Sequence, residues 1–175
     1  MPSARQSLVD HARRLAAGGY VVGADGNLSV RDGPTILITP TRIAYDQLAP
    51  ADIVSIDDDD RSSEWAVHAA VYAARPDVQA VIHAHPVYAC VLAVRGERLE
   101  ELLDEVGPVL GGAVEVAEHA ASGSAELGSN AVAALGGRYA VILANHGTVT
   151  VGADLEEAFY RLEVLERAAQ IQVLR

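Results

Sequence analysis

The sequence of 175 residues contains no lysine; all thirteen basic side chains are arginine. A Schiff-base enzyme needs a lysine amine, so lysine-dependent carbonyl chemistry and ordinary pyridoxal phosphate chemistry are excluded. If the protein makes carbanions, another electrophile must stabilise them. Cysteine occurs once, at Cys90, which rules out an intramolecular disulfide framework and a cysteine-based metal site. Its neighbours Ala89, Val91 and Leu92 are apolar, the setting of a structural thiol rather than a nucleophile. No apolar run approaches the ~18 residues that a membrane span requires. The start of the chain has no apolar signal core, so the expected location is the cytoplasm. The net charge of −11, with no basic stripe to offset it, argues against nucleic-acid and membrane partners. No glycine fingerprint of the dinucleotide or Walker type is present. The run Asp57 to Asp60 lacks the spacing, glycine and closing glutamate of an EF-hand, and reads as a solvated turn.

What is there is globular. Half the residues are apolar and 21% are charged, enough for one substantial core, and residues 1–175 are expected to form one domain. Ser3 can cap a helix to about Ala17, with Leu8, His11, Ala12, Leu15 and Ala16 on one stripe and Gly18-Gly19 as its stop. Two short strands, 27–31 and 35–39, flank a turn at Asp32-Gly33-Pro34, and 53–56 is a third. A helix opens at Ser62-Ser63-Glu64 and runs to about Arg75. An apolar strand covers 78–83, and Pro86 begins a helix to about Arg95. Residues 97–119 carry weak signals, with a strand expected within 111–117. Ser122 or Ser124 caps the next helix, which ends at Gly136-Gly137. Strands follow at 139–144 and 148–151. Asp154 and Glu157 form a capping box for a last helix reaching Arg175. Several strands are apolar on both faces, which implies an α/β sheet covered by helices on both sides.

Two segments deliver histidine at the end of an apolar strand. In Val81-Ile82-His83-Ala84-His85-Pro86, alternate strand residues point the same way, ~7 Å apart, so two imidazoles can converge on one ion. In Ile142-Leu143-Ala144-Asn145-His146-Gly147 the pattern recurs with one histidine and a turn glycine. A His-x-His pair alone also occurs as hydrogen-bonded structural residues. The third histidine in the same context favours a metal site, with a position left open for substrate as catalytic zinc requires. Glu64 stands where a helix begins, either as a cap favoured by the dipole or as an acid/base group. Ser62 and Ser63 read either as N-cap or, with unpaired backbone N–H groups, as an anion pocket. His68 shares a helix face with Glu64 and reads as a structural histidine, as does His11.

The motifs Gly26-Asn27-Leu28-Ser29-Val30-Arg31, Ile38-Thr39-Pro40-Thr41, Ser62-Ser63-Glu64-Trp65, His83-Ala84-His85 and Asn145-His146-Gly147, in this order, resemble the class II aldolase/adducin family from about residue 5 to 172. The resemblance implies a three-layer α/β/α fold around a mainly antiparallel sheet, and a cyclic homotetramer with active sites between subunits. It maps the ligands of a divalent ion, zinc in the family, to His83, His85 and His146, and the acid/base glutamate to Glu64. It maps the phosphate pocket to Asn27, Thr41, Ser62 and Ser63, with Gly26 giving close backbone approach.

Departures from the family pattern bear on specificity. Arg42 stands where the family has glycine; it alters a backbone nest, but its guanidinium could itself bind an anion. Ala24 and Asp25 replace hydroxyl residues, and a carboxylate there opposes a phosphate unless it points away. The family's proton-donating tyrosine aligns to His119, which can do that work or be structural. The reaction the resemblance implies is cleavage of a carbon–carbon bond of a small hydroxy-ketone or its phosphate, through a metal-stabilised enediolate. Two alternatives stand beside it: epimerisation, dehydration or decarboxylation at the same site, and a non-enzymatic adducin-like interaction module.

Overall fold

The structure is a computed structural model that describes residues 3–175; Met1 and Pro2 lie outside the described residues. The first helix, α1 (Ala4–Ala17), starts where expected: Ser3 is its N-cap, and its hydroxyl accepts the Gln6 N–H. Leu8, Val9, His11, Ala12 and Leu15 form its buried side. Ala16 is exposed and Val9 takes its place, a small rotation of the expected stripe.

Among the described residues the sheet has seven strands. They are β1 (Asn27–Asp32), β2 (Thr35–Ile38), β3 (Val54–Ser55), β4 (Ala80–Ala84), β5 (Val116–Ala117), β6 (Ala140–Leu143) and β7 (Gly147–Gly152). Their order across the sheet is β3-β2-β1-β4-β7-β6-β5, and only the β5–β6 pair is parallel. The remaining helices are α2 (Trp65–Ala74), α3 (Val87–Arg95), α4 (Val106–Leu110), α5 (Ala125–Leu135) and α6 (Leu155–Leu174), with a short 3-10 turn at Pro50–Asp52.

Strand alternation builds the three layers. Leu28, Val30, Ala80 and Ile82 face one side, where Leu8, Leu15, Phe159 and Leu162 of α1 and α6 cover them. Ala140 and Ile142 extend that side beneath α3, α4 and α6. Val81, Val141, Val149 and Val151 face the other side, against Val67 and Val71 of α2 and Leu127, Ala131 and Leu135 of α5. The architecture is the expected α/β/α sandwich with a mainly antiparallel sheet.

Three local expectations change. The stretch 111–117 gives only the two-residue β5, because Val114 leaves the sheet to pair with Leu99 in an isolated bridge. Helix α4 was not anticipated; at five residues it is too short to show a helical period in sequence. At the start of α2 the N-cap is Glu64, not a serine, and its side chain makes no capping hydrogen bond. The carboxylate is turned away toward the histidines. The final helix does begin at an Asp154 N-cap, which accepts from Glu157 N at 2.8 Å, while Glu157 reaches back to Ala153 N. Asp57 to Asp60 form an exposed turn in which Asp58 accepts the Ser55 N–H.

Candidate active site

Strand β4 ends at Ala84, but the chain stays extended for one more residue because His85 N–H donates to the Tyr20 carbonyl at 2.8 Å. The alternation therefore continues, and His83 and His85 present their rings to the same space, with centroids 4.8 Å apart. His146 arrives from the β6–β7 turn. Asn145 takes the left-handed conformation at φ 57°, which asparagine tolerates, and this tight turn aims His146 back at the other two rings. Its centroid lies 4.8 Å from His83 and 5.1 Å from His85.

Glu64 enters from the start of α2. One carboxylate oxygen lies 2.8 Å from His83 Nε2 and the other 3.1 Å from His146 Nε2. Ligand atoms of Glu64, His83, His85 and His146 all fall within 4.8 Å of one another, a spacing that could hold a metal ion. The chemistry of these donors fits a cation. His83 Nδ1–H donates to the Thr148 carbonyl at 2.9 Å, which fixes the ring and its tautomer. Its Nε2 faces Glu64 Oε2 at 2.8 Å and His85 Nε2 at 3.0 Å. A proton on the rings or a bound cation lets these nitrogens and the carboxylate share one small space.

Burial pushes the Glu64 carboxyl up, but hydrogen bonds from His146 and His83 outweigh it and hold the group well below the usual carboxylate range. His85 is pushed down to about 4, first by burial and then by the charges of His83 and His146. An imidazole held neutral is a ligand ready for metal.

A cleft of about 180 Å³ opens beside this cluster. The structure brings Gly26, Asn27, Thr41, Ser62, Ser63 and Glu64 to its wall, together with His85 and His146. Thr41 meets the serines because two loops pair: Thr41 N–H donates to the Asp60 carbonyl, and Ser62 N–H to that of Thr39. Gly26 sits at φ 73°, tethered by the Tyr45 hydroxyl on its carbonyl at 2.7 Å. A Cβ there would come within 2.7 Å of the His83 carbonyl, so only glycine allows this approach. Asp25 also lines the cleft and is exposed.

Two expected residues stand apart from it. Arg42 does not line the cleft; its side chain is exposed, and its backbone keeps a left-handed φ of 65°, the conformation glycine favours. His119, just past β5, is exposed and outside the cleft in this chain. Sequence reasoning missed Ser122, whose hydroxyl donates to Glu64 Oε1 at 2.6 Å. It was read as one of two possible caps for α5, but Ser124 fills that role. No local signal connects residues 58 apart. Cys90 is half-buried against the His146 carbonyl and burial pushes its thiol up to about 11, the setting of a structural thiol. His11 is structural, held between the Ser7 carbonyl and Glu156.

With this geometry in view, the chain can be set beside known proteins. The model of the Class II Aldolase and Adducin N-terminal domain family matches residues 6–173. A 5-methylthioribulose-1-phosphate/5-deoxyribulose-1-phosphate aldolase of Rhodospirillum rubrum is 39% identical over 174 residues, covering 95% of this chain and 79% of that protein. An L-fuculose phosphate aldolase of Escherichia coli is 33% identical over 175 residues, covering 96% of this chain and 81% of that protein. A solved L-fuculose 1-phosphate aldolase superimposes with a TM-score of 0.92 at 38% identity, over 99% of this chain and 87% of that one.

Proposed function

We propose that this chain, which belongs to the class II aldolase and adducin N-terminal domain family, is a metal-dependent lyase that cleaves a carbon–carbon bond of a small ketose phosphate by a retro-aldol reaction. The observation that carries the reading is the convergence of Glu64, His83, His85 and His146 within 4.8 Å. His83, His85 and His146 would hold the ion, and three imidazoles beside a carboxylate suit zinc. A bound divalent ion supplies a Lewis acid that stabilises the charge developing on the ketone half as the bond breaks.

The chain's own residues do the rest. Glu64 carries the proton to and from the carbon next to the carbonyl. Ser122 and Asn27 orient its carboxylate. Asn27, Thr41, Ser62 and Ser63, with the Gly26 backbone, would bind the phosphate. An anion there is favoured by the N-terminus of the ten-residue α2. The sugar phosphates in the names of the relatives support a phosphorylated substrate. Arg42 would add a cation at the mouth. His119, exposed and apart from its own chain's cleft, would donate a proton in the site of a neighbouring copy within a homotetramer. The reading takes residues 1–175 as one domain acting in the cytoplasm, where a single unpaired cysteine is at home.

The test is direct. Protein stripped with a chelator and reloaded with zinc, cobalt or manganese should regain release of an aldehyde from ketose 1-phosphates. Metal content should fall toward zero in His85→Ala and His146→Ala. A reloaded enzyme that frees no aldehyde from any ketose phosphate would sink the assignment. Product NMR separates aldol cleavage, which changes the carbon count, from epimerisation, which does not.

A further inference from the structure

Behind Glu64 runs a line of polar side chains that the proton chemistry at the carboxylate does not itself use. Tyr72 OH lies 3.0 Å from Ser29 Oγ, and Ser29 Oγ lies 2.6 Å from His68 Nδ1. His68 Nε2 meets Asn27 Oδ1, and Asn27 Nδ2 lies 3.3 Å from Glu64 Oε2. The residues come from β1 and α2. Ser29 and His68 are fully buried, while Asn27 and Tyr72 are 2% and 3% exposed. So much buried polarity is costly unless every group is paired.

The direction of every bond follows from one end. An ionised Glu64 carboxylate only accepts, so Asn27 must give it the amide N–H2. The Asn27 oxygen then faces His68, which must donate from Nε2. A neutral imidazole protonated there has a lone pair on Nδ1, and Ser29 must donate to it. The Ser29 oxygen is left to accept from the Tyr72 hydroxyl.

We propose that Tyr72, Ser29 and His68 are positioning residues: a one-way hydrogen-bond chain that locks the Asn27 amide with its N–H2 turned toward Glu64 and the cleft. An asparagine amide is nearly symmetric in shape, so its hydrogen bonds, to Glu64 on one side and to His68 on the other, decide which end faces out. Flipped, it would present a carbonyl oxygen to a carboxylate and to any anion in the cleft. The chain makes that flip unfavourable by leaving His68 Nε2–H facing a donor. The consequence for phosphate rests on the function proposed above; the locked tautomer does not.

Two measurements test this on the folded, full-length protein. Nitrogen-15 NMR of the histidine rings should show His68 as a single neutral tautomer with its proton on Nε2. In Ser29→Ala that preference should weaken, with a measurable share of the ring protonated on Nδ1. A proton on Nδ1 in the wild type, or an unchanged tautomer in Ser29→Ala, would overturn the proposal whatever the enzyme's substrate is. The second measurement is binding of inorganic phosphate, alongside KM and kcat for a ketose phosphate. Ser29→Ala and His68→Leu should weaken phosphate binding and raise KM about tenfold. His68→Gln, whose amide can still donate to Asn27, should recover most of the loss. A role in packing alone would lower the melting temperature and leave phosphate affinity and KM of the folded variants within twofold of wild type. It would also make glutamine no better than leucine. Ser29→Ala removes a single oxygen and serves if His68→Leu fails to fold. If the wild type binds no phosphate and cleaves no ketose phosphate, the proposed function fails, while the tautomer result still decides the chain.

Discussion

The Ser122 hydroxyl donates to Glu64 Oε1 at 2.6 Å, so the carboxylate is gripped on the side away from Asn27 by a residue from the loop that follows β5. Ser122→Ala should lower kcat about 10- to 150-fold, the loss of roughly 1.5–3 kcal/mol for a hydrogen bond to a charged group. The bond also helps hold the Glu64 carboxyl low. Its loss raises that pKa, so the acidic limb of the kcat/KM profile should move to higher pH. A variant with unchanged kcat and an unmoved limb would show that Ser122 is a bystander.

Gly147 controls whether His85 can occupy its place. A Cβ on Gly147 would stand 2.5 Å from His85 Cδ2 and 2.6 Å from the Ala84 carbonyl. Gly147→Ala should therefore cost about 1–3 kcal/mol of stability and weaken metal binding about 10- to 100-fold. Gly137→Ala is the control, because nothing lies within 4 Å of the added atom. Metal titration of both variants distinguishes a displaced ligand from a general loss of stability.

Burial, helped by the charge on His83, holds the His68 imidazole down to about 3 from its ordinary 6.5. Below pH 6.5 the unfolded chain takes up a proton that the folded protein refuses. The stability this residue contributes is complete above pH 6.5. It is lost as the pH falls from 6.5 toward 3, by about 1.4 kcal/mol per pH unit. His68→Gln cannot titrate, so its melting temperature should fall less steeply than that of the wild type on acidification. Parallel slopes would mean that His68 is already protonated in the fold.

Arg42 holds a left-handed backbone at φ 65° that costs a residue with a Cβ roughly 1–2 kcal/mol. Arg42→Gly removes the strain but adds freedom to the unfolded chain, about 0.5–1 kcal/mol in the other direction. The expected net is a gain of up to about 1 kcal/mol, read as a higher denaturation midpoint. Phosphate binding should weaken a few-fold at low salt if the guanidinium serves the cleft. Unchanged affinity across salt concentrations would remove Arg42 from the anion site.

Much of this was legible in the sequence because it is local. Gly26-Asn27, Ser62-Ser63-Glu64, His83-Ala84-His85 and His146-Gly147 each carry their chemistry within a few residues. The period of two, continued one residue past β4, places two imidazoles on one side. The caps at Ser3 and Asp154 depend on neighbours three residues away. So the sequence determined the starts of α1 and α6, the strand-end histidines and the layered α/β class.

What it could not determine is which distant groups meet. The register Asn27↔His83 between β1 and β4 sets Asn27 beside the histidine strand, and strand pairing is a property of the closed sheet. Ser122 could be read only as a cap, and His68 only as a structural histidine. Their partners, Glu64 and Asn27, lie 58 and 41 residues away. Arg42 and His119 carry the right chemistry in the chain, yet the fold leaves both outside their own cleft. A side chain's reactivity depends on what lies within a few ångströms of it. Only folding brings residues so far apart in sequence to that distance, and so the tertiary structure decided the environment of Glu64.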